Sequence, residues 1–275
     1  MQMPTSVLIA GCGKLGSPLA LTLAHQGYEV HALCRSPREL PGVTLHYHDL
    51  SQPLTATLPA TDFVFYMLAP TERTEAGYRT VYVQALQHLL TALPRPPQRL
   101  FFISSTSVYG QDQGEWVDEN SPTHPGSFSG RILLEAEAIA RQSTFPATIL
   151  RLSGIYGAGR NHLLEQVRQG ICHPAEPPYY SNRIHQDDAV AAMVHMLQVC
   201  KQGKALADCY LLTDSTPAPL HEVCQWLATQ LQVCVMETAA LRSRGGSKRC
   251  CNTRLIETGY AFHYPDYREG YLSLL

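Results

Sequence analysis

Short, uninterrupted apolar runs alternate with segments of helical spacing through the first half of the chain. Val7, Leu8 and Ile9 form the first run, too short for a helix and β-branched at two of its positions, and predict a buried strand. From Leu15 onward, Leu19, Leu23 and Ala24 share one helix face. Residues 28–34, 43–47, 62–68, 100–103 and 147–152 repeat the strand signature. The run 62–68, DFVFYML, is almost wholly apolar, as strands covered on both faces of a parallel sheet are. Helical spacing recurs over 74–93 and 131–139, and Pro94, Pro96 and Pro97 stop the first of these. Such alternation predicts an α/β protein with a doubly wound, right-handed, mainly parallel sheet. Beyond residue 152 the pattern changes. Residues 154–160 and the proline-rich 174–178 read as loop, 187–199 and 220–231 as helices, and 209–212 as a strand returning to the main sheet. The expected division is a first domain over 1–152, rejoined by 184–213, and a small C-terminal α/β lobe from 153–183 and 214–275.

The first strand runs directly into Gly11, Gly13 and Gly16, spaced G-x-G-x-x-G, and the helix follows at once. In that context each glycine has a job. Gly11 permits the tight turn, Gly13 lets the backbone approach a pyrophosphate, and Gly16 lets helix and sheet pack closely. The turn with Lys14 and Leu15 then presents the N–H groups of a helix start to phosphate. The second predicted strand ends at Arg35 and Ser36, followed by Arg38, where an acidic residue would select the ribose 2′-hydroxyl of NAD. A guanidinium beside a hydroxyl suits a 2′-phosphate, which favours NADP over NAD; the other reading of Arg35 is a solvated side chain. Asp49 either closes a turn or meets the adenine amino group. Leu68, Ala69 and Pro70 end the fourth strand at the carboxyl edge, where open α/β sheets bind ligands.

The remaining composition narrows the function class. A chain of 275 residues with 45% hydrophobic residues fits one large domain with an attached lobe. A net charge of −2 argues against a nucleic-acid or membrane partner, and no apolar run reaches a membrane-spanning length. Nine cysteines without C-x-x-C spacing point to reduced thiols and a cytoplasmic setting. Arg242, Arg244, Lys248 and Arg249 form a local basic run, read equally as an anion site or a solvated face. His185, Asp187 and Asp188 do not make a convincing metal set, and no metal is expected. Asp188 reads as well as a helix cap.

Four segments in order, GCGKLG, FFISSTSVYG, ILRLSGIYGAGR and NRIHQDDAVAAM, together with the closing stretch SKRCCNTRLIETGYAFHYPDYREGY, resemble the extended short-chain dehydrogenase/reductase family, also called the NAD-dependent epimerase/dehydratase family. The resemblance implies a Rossmann fold, a small substrate lobe, an NADP or NAD cofactor, substrates that are often nucleotide sugars, and homodimers packed through the helices of 74–93 and 131–139. It places Ser105, four residues before Tyr109, at the family's catalytic Ser/Thr. It places Thr106, Tyr156, Arg160, Arg183 and His185 around the substrate. The family's Tyr-x-x-x-Lys pair falls on Ser127 and Arg131, because Glu135 follows Arg131 by the family's interval; the register one residue on gives Phe128 and Ile132. Neither register supplies a tyrosine, and the glycine turn is one residue shorter than the family's. The resemblance therefore implies an atypical subgroup with altered or weakened acid–base chemistry, or a non-catalytic NADP-binding redox sensor or regulatory protein.

Overall fold

The computed structural model describes residues 4–238 and 246–275; Arg242 and Arg244 lie outside the described residues. A seven-stranded sheet is built from β1 (Ser6–Ala10), β2 (Glu29–Cys34), β3 (Val43–Tyr47), β4 (Phe63–Tyr66), β5 (Arg99–Ser105), β6 (Ala147–Leu152) and β7 (Cys209–Leu212). Their spatial order is β7-β6-β5-β4-β1-β2-β3. The pairings of β1 with β2, β1 with β4, β2 with β3 and β4 with β5 are parallel. The order reverses beside β1, which is the switch point of an open α/β sheet. In register, Ala10 lies between Leu33 and Tyr66, so the chain leaves three neighbouring strands at one edge. β1 and β4 are buried at every position, the burial that their unbroken apolar runs predict.

Helix α1 (Gly16–His25) follows the glycine turn. The long helix expected over 74–93 is three pieces. Thr74 caps α2 (Glu75–Arg79) by accepting the Gly77 N–H, a π-helical turn occupies Thr80–Gln84, and α3 (Ala85–Ala92) completes the run. The interruption falls on TVYVQ, where β-branched and aromatic residues crowd the preceding turn and the Val81 carbonyl accepts the Tyr66 hydroxyl. Helix α4 (Phe128–Arg141) starts on Ser127. Leu8, Tyr66, Leu86, Leu89, Phe102, Ala136 and Ile149 meet in one apolar core of the sheet and these helices.

The chain forms two compact units. The first holds the residues up to Ser105, Ser127–Leu150 and Met193–Cys209; the second holds Thr106–Gly126, Arg151–Ala192 and Tyr210 onward. Residues 106–126, assigned by sequence to the first domain, thus cluster with the second unit, as do 184–192. In the second unit Gly154–Tyr156 pairs in parallel with Arg183–His185, and Glu115–Val117 with Lys248–Cys250. Its helices are α5 (His162–Arg168), part of α6 (Gln186–Lys201), α7 (Leu220–Leu231), α8 (Thr253–Glu257) and α9 (Tyr267–Leu272). A separate core gathers Tyr156, Leu164, Val167, Leu227, Tyr267 and Tyr271. Among the described residues no helix is long and apolar enough to cross a membrane.

Candidate functional site

In the first unit the three glycines take different parts. Gly11 has φ +113°, and a Cβ there would sit 2.9 Å from the Met67 carbonyl oxygen and 3.0 Å from the Leu68 nitrogen. A Cβ on Gly16 would sit 1.9 Å from the Gly11 carbonyl oxygen. Both positions are closed by backbone, so they require glycine. At Gly13, by contrast, a Cβ would meet nothing within 4 Å, and Gly13 and Lys14 are exposed. Two glycines therefore shape the turn and the third leaves its outer face open, the form a phosphate-binding turn requires. Leu15 is buried beneath the turn. Leu68, Ala69 and Pro70 leave β4 directly beside Gly11.

The end of β2 supplies the charge. Arg35 and Ser36 are exposed, whereas Arg38 turns back onto the glycine turn. Its Nη1 donates to the Cys12 carbonyl, Nη1 also lies 3.5 Å from Ser17 Oγ, and Nη2 lies 3.5 Å from Ser36 Oγ. Ser17 Oγ donates to the same Cys12 carbonyl at 2.9 Å. The Arg38 Nε is buried without a hydrogen-bond partner. Asp49 takes the turn role: its carboxylate accepts the Ser51 N–H at 3.0 Å, which with the Arg35 charge holds its pKa below the usual range.

Ser105 is the last residue of β5 and is half-buried. Its neighbour Ser104 donates to Glu137 Oε1 at 2.7 Å, and Arg141 donates to Glu137 Oε2 at 3.2 Å. Glu137 is completely buried and so ties α4 to the end of β5. Sequence reasoning passed over this residue, although it lies on the apolar stripe with Leu133, Ala136 and Ala140, where a carboxylate is unexpected. Ser127 is the N-cap of α4: its Oγ accepts the Gly130 N–H at 3.2 Å and lies 3.0 Å from Ser129 Oγ. Arg131 is exposed one turn later, and Glu135 pairs with Arg79 at 3.0 Å instead.

The residues expected around the substrate belong to the second unit, and several are deeply buried. Thr106 is buried in the 3-10 turn after β5. Tyr156, Arg183 and His185 are 4%, 5% and 3% exposed. The Tyr156 and His185 rings meet edge-on, with centroids 5.2 Å apart. Burial holds the His185 pKa below its ordinary value, against the pull of Asp187 and Asp188. Arg160 is half-buried, and its Nε donates to Gln186 Oε1 at 3.2 Å. Asp188 lies inside the first turn of α6 and does not cap it. Its carboxylate instead accepts the Tyr260 hydroxyl at 2.8 Å and the His263 and Tyr264 N–H groups at 2.7 and 2.8 Å, and so holds the closing segment. The basic run divides: Lys248 is buried, and Arg249 lies between the Trp116 and Tyr180 rings at 5.1 and 4.8 Å while donating to the Gly114 carbonyl. Among the described residues no cluster of His, Cys, Asp or Glu is arranged to hold a metal ion.

The model of the NAD-dependent epimerase/dehydratase family matches residues 7–208. Protein YeeZ of Escherichia coli strain K12 is 30% identical over 285 residues, which cover 94% of this chain and 96% of YeeZ. A structure from Methylobacillus flagellatus, described as an NAD-dependent epimerase/dehydratase, is 37% identical and superposes with a TM-score of 0.83 over 99% of this chain and 98% of its own. At lower identity, where likeness shows the fold alone, stand MoeE5 in complex with UDP-glucuronic acid and NAD, 22% identical with a TM-score of 0.80 over 96% of each chain, and human SDR39U1 with NADPH, 20% identical with a TM-score of 0.78 over 97% of each. A Rossmann-type sheet with its glycine turn at the switch point, a family model spanning most of the chain and a full-length relative all agree: this chain belongs to the NAD-dependent epimerase/dehydratase family.

Proposed function

We propose that the chain is an NADP-dependent oxidoreductase of the epimerase/dehydratase type, acting on a nucleotide-sugar-like or other polar small molecule with acid–base chemistry that uses no tyrosine phenolate. The observation that carries this reading is the Arg38 guanidinium laid on the glycine turn next to the open face of Gly13. The residues fit a dinucleotide. Gly11 to Gly16 would receive the pyrophosphate, and Arg38, with Arg35 and Ser36, the ribose 2′-phosphate. Leu68, Ala69 and Pro70 would border the cofactor at the end of β4. When bound, the nicotinamide supplies hydride transfer, and the protein supplies binding and orientation. Ser105 would hold, by a hydrogen bond, the substrate oxygen that gains or loses a proton. Arg131 would fix a ribose or phosphate through charged hydrogen bonds. The complexes of MoeE5 with a UDP-sugar and of SDR39U1 with NADPH support the substrate and cofactor classes by analogy of fold. A homodimer packed through α2, α3 and α4 and a cytoplasmic setting belong to the same proposal.

A second reading, a non-catalytic NADP-binding redox sensor or regulatory protein, is favoured by the start of α4. There the Ser127 hydroxyl is already spent on the helix cap. Mixing the purified protein with NADPH or NADP and a panel of UDP-sugars and carbonyl compounds, and following nicotinamide absorbance, separates the two. Turnover that Ser105→Ala reduces supports the enzyme. Tight NADPH binding with no turnover supports the sensor, and failure to bind either dinucleotide defeats both.

A further inference from the structure

Among the described residues of the second unit, the polar atoms buried with no hydrogen-bond partner include Tyr156 Oη, Arg183 Nη1, His185 Nε2, Asp214 Oδ2 and Tyr267 Oη. Each of these residues is more than nine-tenths buried. They belong to one cluster. Arg183 Cζ lies 5.1 Å from the Tyr267 ring centre, Tyr156 packs on His185, the Asp214 N–H donates to the Arg183 carbonyl at 2.7 Å, and the Asp214 charge is felt at Tyr156. Gly270 on α9 closes the cluster, since a Cβ there would fall 1.8 Å from the Tyr156 hydroxyl. Arg183 and Asp214 make no direct ion pair. The Arg183 Nη2 donates to Ser181 Oγ, and Asp214 Oδ1 accepts the Thr216 N–H at 3.3 Å, leaving one group of each facing the cluster. Unsatisfied buried polar atoms are rare and costly, and a charged group such as a guanidinium is the costliest of them.

We propose that this cluster encloses an internal water site, in which water bridges Arg183 to Asp214 and is completed by the tyrosine hydroxyls and His185. Water suits this set because it can both accept and donate. His185 Nδ1 accepts the Asp187 N–H at 3.3 Å, so the neutral ring carries its proton on Nε2 and is a donor. Arg183 and His185 donate, the tyrosine hydroxyls can donate or accept, and Asp214 can accept as the carboxylate or donate as the protonated acid. Water accepts from the guanidinium and meets Asp214 Oδ2 in either of its states, whereas a cation would face Arg183. A buried water of this kind makes about three hydrogen bonds to groups the protein leaves unpaired. The site fastens the Arg183–His185 strand, the start of the loop after β7 and α9 to one another.

A high-resolution crystal structure of the full chain is the direct test. The expected result is ordered water within hydrogen-bond distance of both Arg183 Nη1 and Asp214 Oδ2. A direct Arg183–Asp214 ion pair with nothing between them, or a chloride or other anion in that position, overturns the proposal. Oxygen-17 relaxation dispersion of water gives an independent reading in solution. The long-lived water contribution should persist in Asp214→Asn, which keeps volume and an acceptor, and should fall in the paired variant Arg183→Met with Asp214→Leu. An equal contribution in the wild type and in a folded paired variant refutes the site, and if that variant does not fold, the wild-type crystal still decides.

Discussion

Arg38 Nη1 donates to the main-chain carbonyl of Cys12, so the arginine on the loop after β2 is fastened to the glycine turn while Arg35 stays in solvent. A ribose 2′-phosphate held there would gain a charged hydrogen bond worth about 1.5–3 kcal/mol. Arg38→Ala should therefore lower NADP affinity about tenfold or more relative to NAD, and Arg35→Ala by less. Calorimetric titration of both variants with both dinucleotides measures the ratio. An NADP-to-NAD ratio unchanged by either substitution would remove the basis for NADP preference.

The glycines separate folding from binding. Gly16→Ala places a Cβ against the Gly11 carbonyl and should lower the thermal midpoint of the cofactor-free protein, whereas Gly13→Val meets open space and should leave it near the wild-type value. Gly13→Val should nevertheless abolish dinucleotide binding by filling the face that the pyrophosphate takes. Thermal melts without cofactor, followed by titration, check both halves. Full dinucleotide affinity in Gly13→Val would refute the cradle.

Asp188 is completely buried and accepts three hydrogen bonds from the closing segment. Asp188→Ala leaves those donors buried without an acceptor, and should cost about 3 kcal/mol or more. The urea midpoint should fall with little change in the slope of the transition, and limited proteolysis should cut first near 260–264.

Burial pushes the Asp214 carboxyl up to about 8, against the opposing pull of Arg183. Its folded pKa thus lies above its unfolded value near 3.8, and the folded state holds a proton that the unfolded chain releases. The stability linked to this proton is complete below the unfolded pKa, declines as pH rises between the two values, and is gone above about 8. Asp214→Asn should flatten that decline. Thermal midpoints measured from weakly acidic to weakly basic buffer, wild type against variant, give the comparison, and parallel curves would show that Asp214 does not titrate in this way.

Ser127 and Arg131 stand where the family resemblance puts a tyrosine and a lysine. Ser127→Tyr with Arg131→Lys sacrifices a helix cap, at about 1 kcal/mol, and supplies a phenol. Positioned acid–base groups contribute about 10²–10⁴-fold, so turnover on a UDP-sugar should rise measurably in the double variant. Steady-state rates with the variant folded and dinucleotide-bound decide it; no gain on any sugar of the panel would argue that this register is not where the proton moves.

The strands and the nucleotide turn were legible in the sequence because both are local. An unbroken apolar run such as Val7–Ile9 or 62–68 can be satisfied only inside a covered sheet, and β3, β6, β7 and α7 begin and end at the residues their patterns predict. The glycine spacing likewise encodes a backbone shape within six residues. What the tertiary structure alone decided are the polar side chains. Asp188 reads as a helix cap until Tyr260, 72 residues on, is folded against it. Arg183 and His185 lie in a buried cluster with Asp214, a residue that no local pattern singles out. Arg38 reads as a neighbour of Arg35 until the loop folds it onto Cys12. Apolar periodicity is written along the chain, but a hydrogen bond between distant residues leaves no periodic trace, and whether a charge is solvated or buried depends on what the rest of the fold brings beside it.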